Sequence, residues 1–329
     1  AFDVDNSTTV SATFDLDVDA STISKQTFTV RGEQTGVYTG TYTTSNSLVQ
    51  FDNHLEFKPG EEIFVTLSQD IQSTAGASSP PYSWQFNAAV GGGFGTFVDS
   101  GQALGNMRSH GIALGDLDGD GDLDAFVGNI GTSISQGQPD TIWLNDGNGS
   151  FTDSGQTLGS NTQSYHLVLG DLDNDGDLDA FTANFTDGNR VYLNDGGLQG
   201  GVAGVFSESS QQLGSSSSLG AALADLDGDG DLDAFVANYY SQPNRVWLND
   251  GFGNFTDSGQ TLGNSNSNDV ALGDLDGDGD LDAFVGNDDA QPNRVWLNDG
   301  YGVFIDSGQA LGNTSTFGGV SLGDLDGDG

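Results

Sequence analysis

No cysteine occurs in the sequence, which excludes disulfides, thiolate metal sites and cysteine nucleophiles. Basic residues are nearly as scarce: seven Lys and Arg stand against 48 Asp and Glu, a formal net charge of −41. Nucleic-acid binding through phosphates needs clustered Lys and Arg and is excluded. An anionic membrane surface is disfavoured for the same reason. No apolar run approaches the ~18 residues of a membrane-spanning helix. The three histidines, His54, His110 and His166, are scattered. There is no phosphate loop or His-Glu-x-x-His motif, so an enzyme is not expected. Glutamate is short as well, with only Glu33, Glu56, Glu61, Glu62 and Glu208. A surface adapted to salt draws on both acids, whereas ligand loops draw on Asp.

Aspartate is where the acid is concentrated. The stretch Asp116-Leu117-Asp118-Gly119-Asp120-Gly121-Asp122-Leu123-Asp124 returns at Asp171–Asp179, Asp225–Asp233 and Asp274–Asp282, and opens a fifth time at Asp324. First aspartates are spaced by 55, 54, 49 and 50 residues, the length of one small supersecondary unit. Carboxylates at positions 1, 3 and 5 alternate with small or apolar residues. The glycine at position 6 permits a sharp turn at positive φ, and the Asp at position 9 can swing back onto the same centre. Without a cation, each carboxylate pair at ~4 Å costs ~4 kcal/mol at an effective dielectric of 20. Ca²⁺ reverses that sign, while Mg²⁺ demands a tighter octahedron. An acidic, solvated turn without metal is the plain alternative. The loop is not an EF-hand, because position 12 holds Val127, Thr182, Val236 and Val285 rather than Glu.

Residues 1–90 carry no such loop. Short alternating runs such as Thr27-Phe28-Thr29-Val30 and Ile63-Phe64-Val65-Thr66-Leu67 predict six or seven strands, hence a β-sandwich. The segments Asp19-Ala20-Ser21-Thr22-Ile23, Phe57-Lys58-Pro59-Gly60 and Trp84-Gln85-Phe86 resemble landmarks of bacterial Ig-like domains in surface-layer proteins. Gly91-Gly92-Gly93 marks a boundary. In residues 91–329 each repeat reads as four strands. In the second these are Phe151–Leu158, His166–Gly170, Leu178–Asn184 and Arg190–Gly196, with the Asp loop between the second and third. An Asn-Asp-Gly hairpin signal recurs at Asn145, Asn194, Asn249 and Asn298. Four strands per ~50 residues with no helical period predict propeller blades.

The Phe94-Gly95 and Gly253-Asn254-Phe255 lead-ins, the nine-residue Asp loop and the Asn-Asp-Gly hairpin resemble the FG-GAP repeats of integrin-like propellers and their VCBS-type relatives. The resemblance implies calcium bound by side chains at positions 1, 3, 5 and 9 and by the position-7 backbone. That assigns Asp116, Asp118, Asp120, Asp122 and Asp124 to the first site, with Asp122 contributing its main chain. The corresponding sets are Asp171, Asp173, Asp175, Asp177 and Asp179; Asp225, Asp227, Asp229, Asp231 and Asp233; and Asp274, Asp276, Asp278, Asp280 and Asp282. Asp324, Asp326 and Asp328 form the fifth, which lacks its closing Asp. Only Asn174 departs from the pattern, replacing Gly at position 4, which is not a ligand.

The expectation is therefore an all-β chain: an Ig-like sandwich, then a calcium-binding β-propeller with four complete blades and part of a fifth, with about one Ca²⁺ per complete loop. Rings of this family usually have seven blades, so the sequence reads as part of a longer protein. Ala1 in place of Met points the same way. Weak calcium sites suit the extracellular medium, so an extracellular or cell-surface setting is expected. The role expected is structural or adhesive, with self-assembly, other protein subunits, matrix or glycan as partners. The alternatives are a carbohydrate-binding propeller and a non-catalytic propeller of a larger secreted enzyme.

Partners are expected on the loops at the end away from the calcium sites. Arg190, Arg245 and Arg294 are expected to pair neighbouring blades. Trp143, Tyr192, Trp247 and Trp296 are expected in the core between blades. Asn6, Asn148, Asn184, Asn254 and Asn313 head glycosylation sequons.

Overall fold

Alternation of apolar and polar side chains builds a two-layer sandwich over the first eight strands of a computed structural model. The structure describes residues 3–32, 34–89, 99–133, 136–159, 162–197, 200–312 and 318–323. The strands are β1 (Asp3–Val4), β2 (Val10–Thr13), β3 (Phe28–Gly32), β4 (Gly36–Val37), β5 (Gly40–Ser45), β6 (Leu48–Asn53), β7 (Glu62–Leu67) and β8 (Tyr82–Ala88). One sheet runs β1-β8-β7-β3-β4 and the other β2-β6-β5. All pairings are antiparallel except β1 with β8. Phe28, Val30, Phe51, Ile63 and Val65 are fully buried between the layers, with Phe28 against Tyr42 and Trp84 at ring centroids of 5.8 and 6.4 Å.

Four four-stranded antiparallel sheets follow. They comprise β9 (Arg108–Gly115), β10 (Asp124–Ile130), β11 (Thr141–Asn145) and β12 (Phe151–Asp153); then β13 (Ser164–Gly170), β14 (Asp179–Asn184), β15 (Arg190–Asn194) and β16 (Phe206–Glu208). The third has β17 (Ser218–Ala224), β18 (Asp233–Asn238), β19 (Arg245–Asn249) and β20 (Phe255–Asp257). The fourth has β21 (Ser267–Gly273), β22 (Asp282–Asn287), β23 (Arg294–Asn298) and β24 (Phe304–Asp306). Each sheet is a meander, and adjacent sheets contact one another through their first strands. This is the propeller-like arrangement expected, with no α-helix among the described residues.

The phase of the repeat differs from the sequence reading. Phe151–Asp153 is not the first strand of the second blade. It is the outer strand of the first, pairing with β11 as Trp143↔Asp153, Leu144↔Thr152 and Asn145↔Phe151. The cause is the Asn145-Asp146-Gly147 turn, which is too short to do anything but fold the chain straight back. Gly147 sits at φ 72° there.

Neighbouring blades are joined by three devices. The central Phe of one blade packs edge-on against the outer-strand Phe of the next: Phe126 on Phe206 at 5.5 Å, Phe181 on Phe255 at 5.6 Å and Phe235 on Phe304 at 5.3 Å. Trp247 and Trp296 share cores with the preceding blade, as Tyr192 does. The recurring glutamine after each outer strand reaches to the next blade. Gln156 donates to Gly204 O at 2.6 Å and accepts from Phe206 N at 2.8 Å, and Gln211 and Gln260 repeat the pair.

Arg190, Arg245 and Arg294 do not bridge blades. They pair within one, with Glu208 at 2.8 Å, Asp257 at 3.6 Å and Asp306 at 3.7 Å. Third and fourth strands are hydrogen-bonded neighbours, and so the nearest carboxylate lies on the same sheet.

Candidate metal centres

Each complete Asp loop joins the first strand of a blade to the second, so all four lie at the same end. Residues at positions 4 and 6 adopt positive φ in every one: 77° and 98° at Gly119 and Gly121, 60° and 106° at Asn174 and Gly176. Glycine takes this conformation without steric cost, and Asn is the side chain that best tolerates it. The turn gathers side-chain oxygens of Asp116, Asp118 and Asp124 within 4.8 Å of one another. It does the same for Asp171, Asp173 and Asp179, for Asp225, Asp227 and Asp229, and for Asp274, Asp276 and Asp282. Positions 1, 3 and 9 are thus assembled in three loops and positions 1, 3 and 5 in the other.

Asp120, Asp175, Asp278 and Asp233 lie outside these closest groups. The position-7 side chains lie against the hairpin: a Cβ at Gly251 or Gly300 would sit 2.6 Å from an oxygen of Asp231 or 2.5 Å from one of Asp280. Asp122, Asp177, Asp231 and Asp280 therefore press on the hairpin glycine of their own blade, and none belongs to the closest groups. Asp324, Asp326 and Asp328 lie outside the described residues, as do Phe94, Gly95 and the Gly91-Gly92-Gly93 boundary.

The closing aspartate is also the structural hinge of the loop. Asp124 accepts from Leu117 N at 2.9 Å through one oxygen and from Asn145 N at 2.8 Å through the other. Asp179, Asp233 and Asp282 repeat both bonds. The hairpin asparagine is thereby tied to the loop, a role its Asn-Asp-Gly signature did not disclose.

Oxygens stand ready for a cation. Buried Asp116 Oδ1, Asp171 Oδ2 and Asp175 Oδ2 have no hydrogen-bond partner, a costly state for a carboxylate unless a cation meets it. Burial, then the neighbouring carboxylates, pushes the carboxyl groups up. Asp177 rises to about 8 and Asp173 to about 6, and Asp225 rises to about 7. Asp179 and Asp233 are held well above the usual range, chiefly by burial. Crowded, partly orphaned, oxygen-only ligands are the donor set of a hard cation. These Asp clusters can hold a metal ion.

The metal-loop end is covered from within the chain. The sandwich lies against all four complete loops. Asp116 N donates to Gln34 O at 3.2 Å, Gln69 N to Gly228 O at 3.4 Å, and Ser83 N to Gly279 O at 3.0 Å. Arg31 Nη2 donates to Asn174 Oδ1 at 2.8 Å and Lys25 Nζ to Asn174 O at 3.4 Å, while Lys58 pairs with Asp116 at 3.3 Å. These three are all the basic residues before the propeller. At the opposite end, Asn184 is buried with its amide on Gly188 O at 3.0 Å, which removes it as a glycan acceptor. Asn313 lies outside the described residues.

Among known proteins, residues 130–182, 171–236, 225–285 and 274–329 match the FG-GAP-like repeat. Residues 1–88 match a bacterial Ig-like domain. No curated protein sequence matches the chain. A crystal structure described as a "Putative phosphatase" from Bacteroides thetaiotaomicron is similar at 10% identity and a TM-score of 0.34, over 92% of this chain and 82% of that one. So low a score bears on neither fold nor function. The loop at Asp116 lies ahead of the matched repeats yet has the spacing and turn of the others. The chain belongs to the FG-GAP-like repeat family and carries a bacterial Ig-like domain in front of its repeats.

Proposed function

We propose that the protein is an extracellular, calcium-stabilised surface protein with a structural or adhesive role, and not an enzyme. The observation that carries this reading is the gathering of three carboxylates within 4.8 Å in each of four loops at one end of the blades. Calcium fits better than magnesium, because the ligands are flexible, numerous and partly backbone. Cation clamps would then do what disulfides do in other secreted proteins, in a chain that has no cysteine. Ig-like and FG-GAP-like units are modules typical of surface proteins. No described helix is long and apolar enough to cross a membrane.

Electron microscopy of the native protein with calcium and then with chelator tests the role. Sheets or fibres that dissolve on chelation support assembly. Dispersed particles under both conditions count against it.

One observation favours carbohydrate binding as a second reading. At the end away from the metal loops, Tyr165, Phe185 and Tyr240 form a row across two blades, with ring centroids 5.0 and 5.4 Å apart. Tyr240 is 58% exposed at the end of that row. Exposed aromatic faces suit the apolar faces of neutral sugars. A glycan array decides it, since retention lost in Tyr240→Ala would move the assignment to a lectin.

A further inference from the structure

The four loops share a sequence pattern, but their surroundings differ. Asp171 and Asp225 are 1% and 7% exposed, Asp116 is half-buried and Asp274 is exposed. Hairpins of the following blades cover the first three, and the Ig-like module adds a charged side chain over the second and third. Arg31, at 6% exposure, projects from β3 between the second and third loops. Arg31, Asp171 and Asp225 line one cavity between the module and the blades.

Arg31's hydrogen-bond partner is Asn174, the one position where the repeat departs from glycine. Asn174 keeps the φ that glycine has elsewhere, 60° against 77° at Gly119, so the loop turn survives. Its amide meanwhile donates to Asp231 at 2.6 Å and to Gly251 O at 3.3 Å in the next blade. One side chain thus joins the module, the second loop and the third.

The module's own half of the contact is pre-set. Buried Glu61 accepts from Gln34 N, Thr35 N and Lys58 N at 3.0, 2.8 and 3.2 Å. It thereby fixes both segments that touch the first loop, Gln34 in the hairpin whose strand β3 also carries Arg31, and Lys58 ahead of β7.

We infer that Arg31 and Asn174 form a latch that seats the Ig-like module on the second and third metal loops, with Arg31 acting as a resident counter-charge that opposes cation entry there. The inference rests on the calcium reading above. It makes the four sites unequal. The second and third bind calcium more weakly than the fourth. That loop meets the module through a backbone hydrogen bond from Ser83 and the ring of Tyr82 against Gly279, with no charged side chain of the module on it among the described residues. Arg31 and a loop cation are like charges in a partly buried space, where repulsion is weakly screened.

The test uses the full chain with Ser45→Cys and Thr256→Cys as spin-label sites, two exposed positions in a protein otherwise free of cysteine. Asn174→Gly restores the residue of the other complete loops and leaves every carboxylate in place. It is expected to broaden and lengthen the distance between labels, as is Arg31→Gln. In calcium titration calorimetry Arg31→Gln is expected to tighten two sites by roughly tenfold and leave the fourth loop unchanged. Label distances that both variants leave as in the parent overturn the latch. Calcium uptake that Arg31→Gln leaves unaltered at every site overturns the counter-charge role alone. A parent chain that takes up no calcium overturns the calcium reading and the counter-charge role together.

Discussion

Asn194 donates its side-chain amide to the carbonyl oxygen of Leu117, 77 residues earlier and one blade back, at 2.9 Å. Asn249 makes the same bond to Leu172 at 2.8 Å, and Asn298 to Leu226 at 2.9 Å. Position 2 of one metal loop is therefore held by the hairpin of the next blade. Candidate cation sites and blade contacts share these loops.

Asn194 also donates to Leu178 O at 3.3 Å and accepts from Gly204 N at 2.9 Å. Asn194→Ala strands three buried backbone groups and is expected to cost ~2–4 kcal/mol. A lower urea midpoint at unchanged slope is the expected readout. Asn148→Ala, at an exposed hairpin position, is expected to stay within ~0.5 kcal/mol of the parent.

On the proposed calcium reading, mass action adds ~2.7 kcal/mol per site to the folded state at a free concentration a hundredfold above Kd. Chelation is therefore expected to lower the melting temperature. It should loosen the blades before the sandwich, whose core contains none of the loops. Calorimetric scans with calcium and with chelator check this, and superimposable scans would exclude stabilising sites.

Asp140 provides a pH dependence away from the metal ligands. It is fully buried, accepting from Asn129 N at 2.8 Å and Ser164 Oγ at 2.7 Å. Burial, only partly offset by those bonds, raises its pKa to about 7. Its folded pKa lies above the unfolded one, so its contribution is complete below pH ~4 and is lost as pH rises through ~7. The other three blades carry Asn189, Asn244 and Asn293 at this place, each accepting from the equivalent backbone N–H. Asp140→Asn is therefore expected to fold normally and to flatten the decline in stability between pH ~4 and ~7. Urea titrations of both proteins across that range measure it.

Phe235 is fully buried and carries the edge-on contact to Phe304. Phe235→Ala is expected to cost ~3–5 kcal/mol through lost burial and the cavity it leaves. Ile305→Ala, next to Phe304 but 66% exposed, is expected to change stability by less than ~0.5 kcal/mol. Equal losses in denaturant titrations would mean that the blades are not joined through this ring pair.

Much of this was legible in the sequence because the signals are local. A nine-residue loop with Asp at alternate positions and Gly at the turn has few other conformations to take, and period-two alternation allows only strands. What could not be read was how neighbouring repeats share elements. Phe151–Asp153 has the same apolar pattern whether it opens one blade or closes another, and only pairing with β11 decides it. Nothing local to Gln156 discloses its bonds to residues some 50 positions away. Arg245 looked like a link between blades because spacing cannot say on which sheet Asp257 lies.

The sequence by itself determined the strands, the repeat and the ligand chemistry, since each depends on residues within a single loop or strand. Asn174 could be recognised there only as a departure from the pattern. The tertiary structure decided its meaning by laying the Ig-like module over the loops and bringing Arg31, 143 positions earlier, to within 2.8 Å of it. A contact across that separation depends on how two modules pack. No local preference of the chain encodes it.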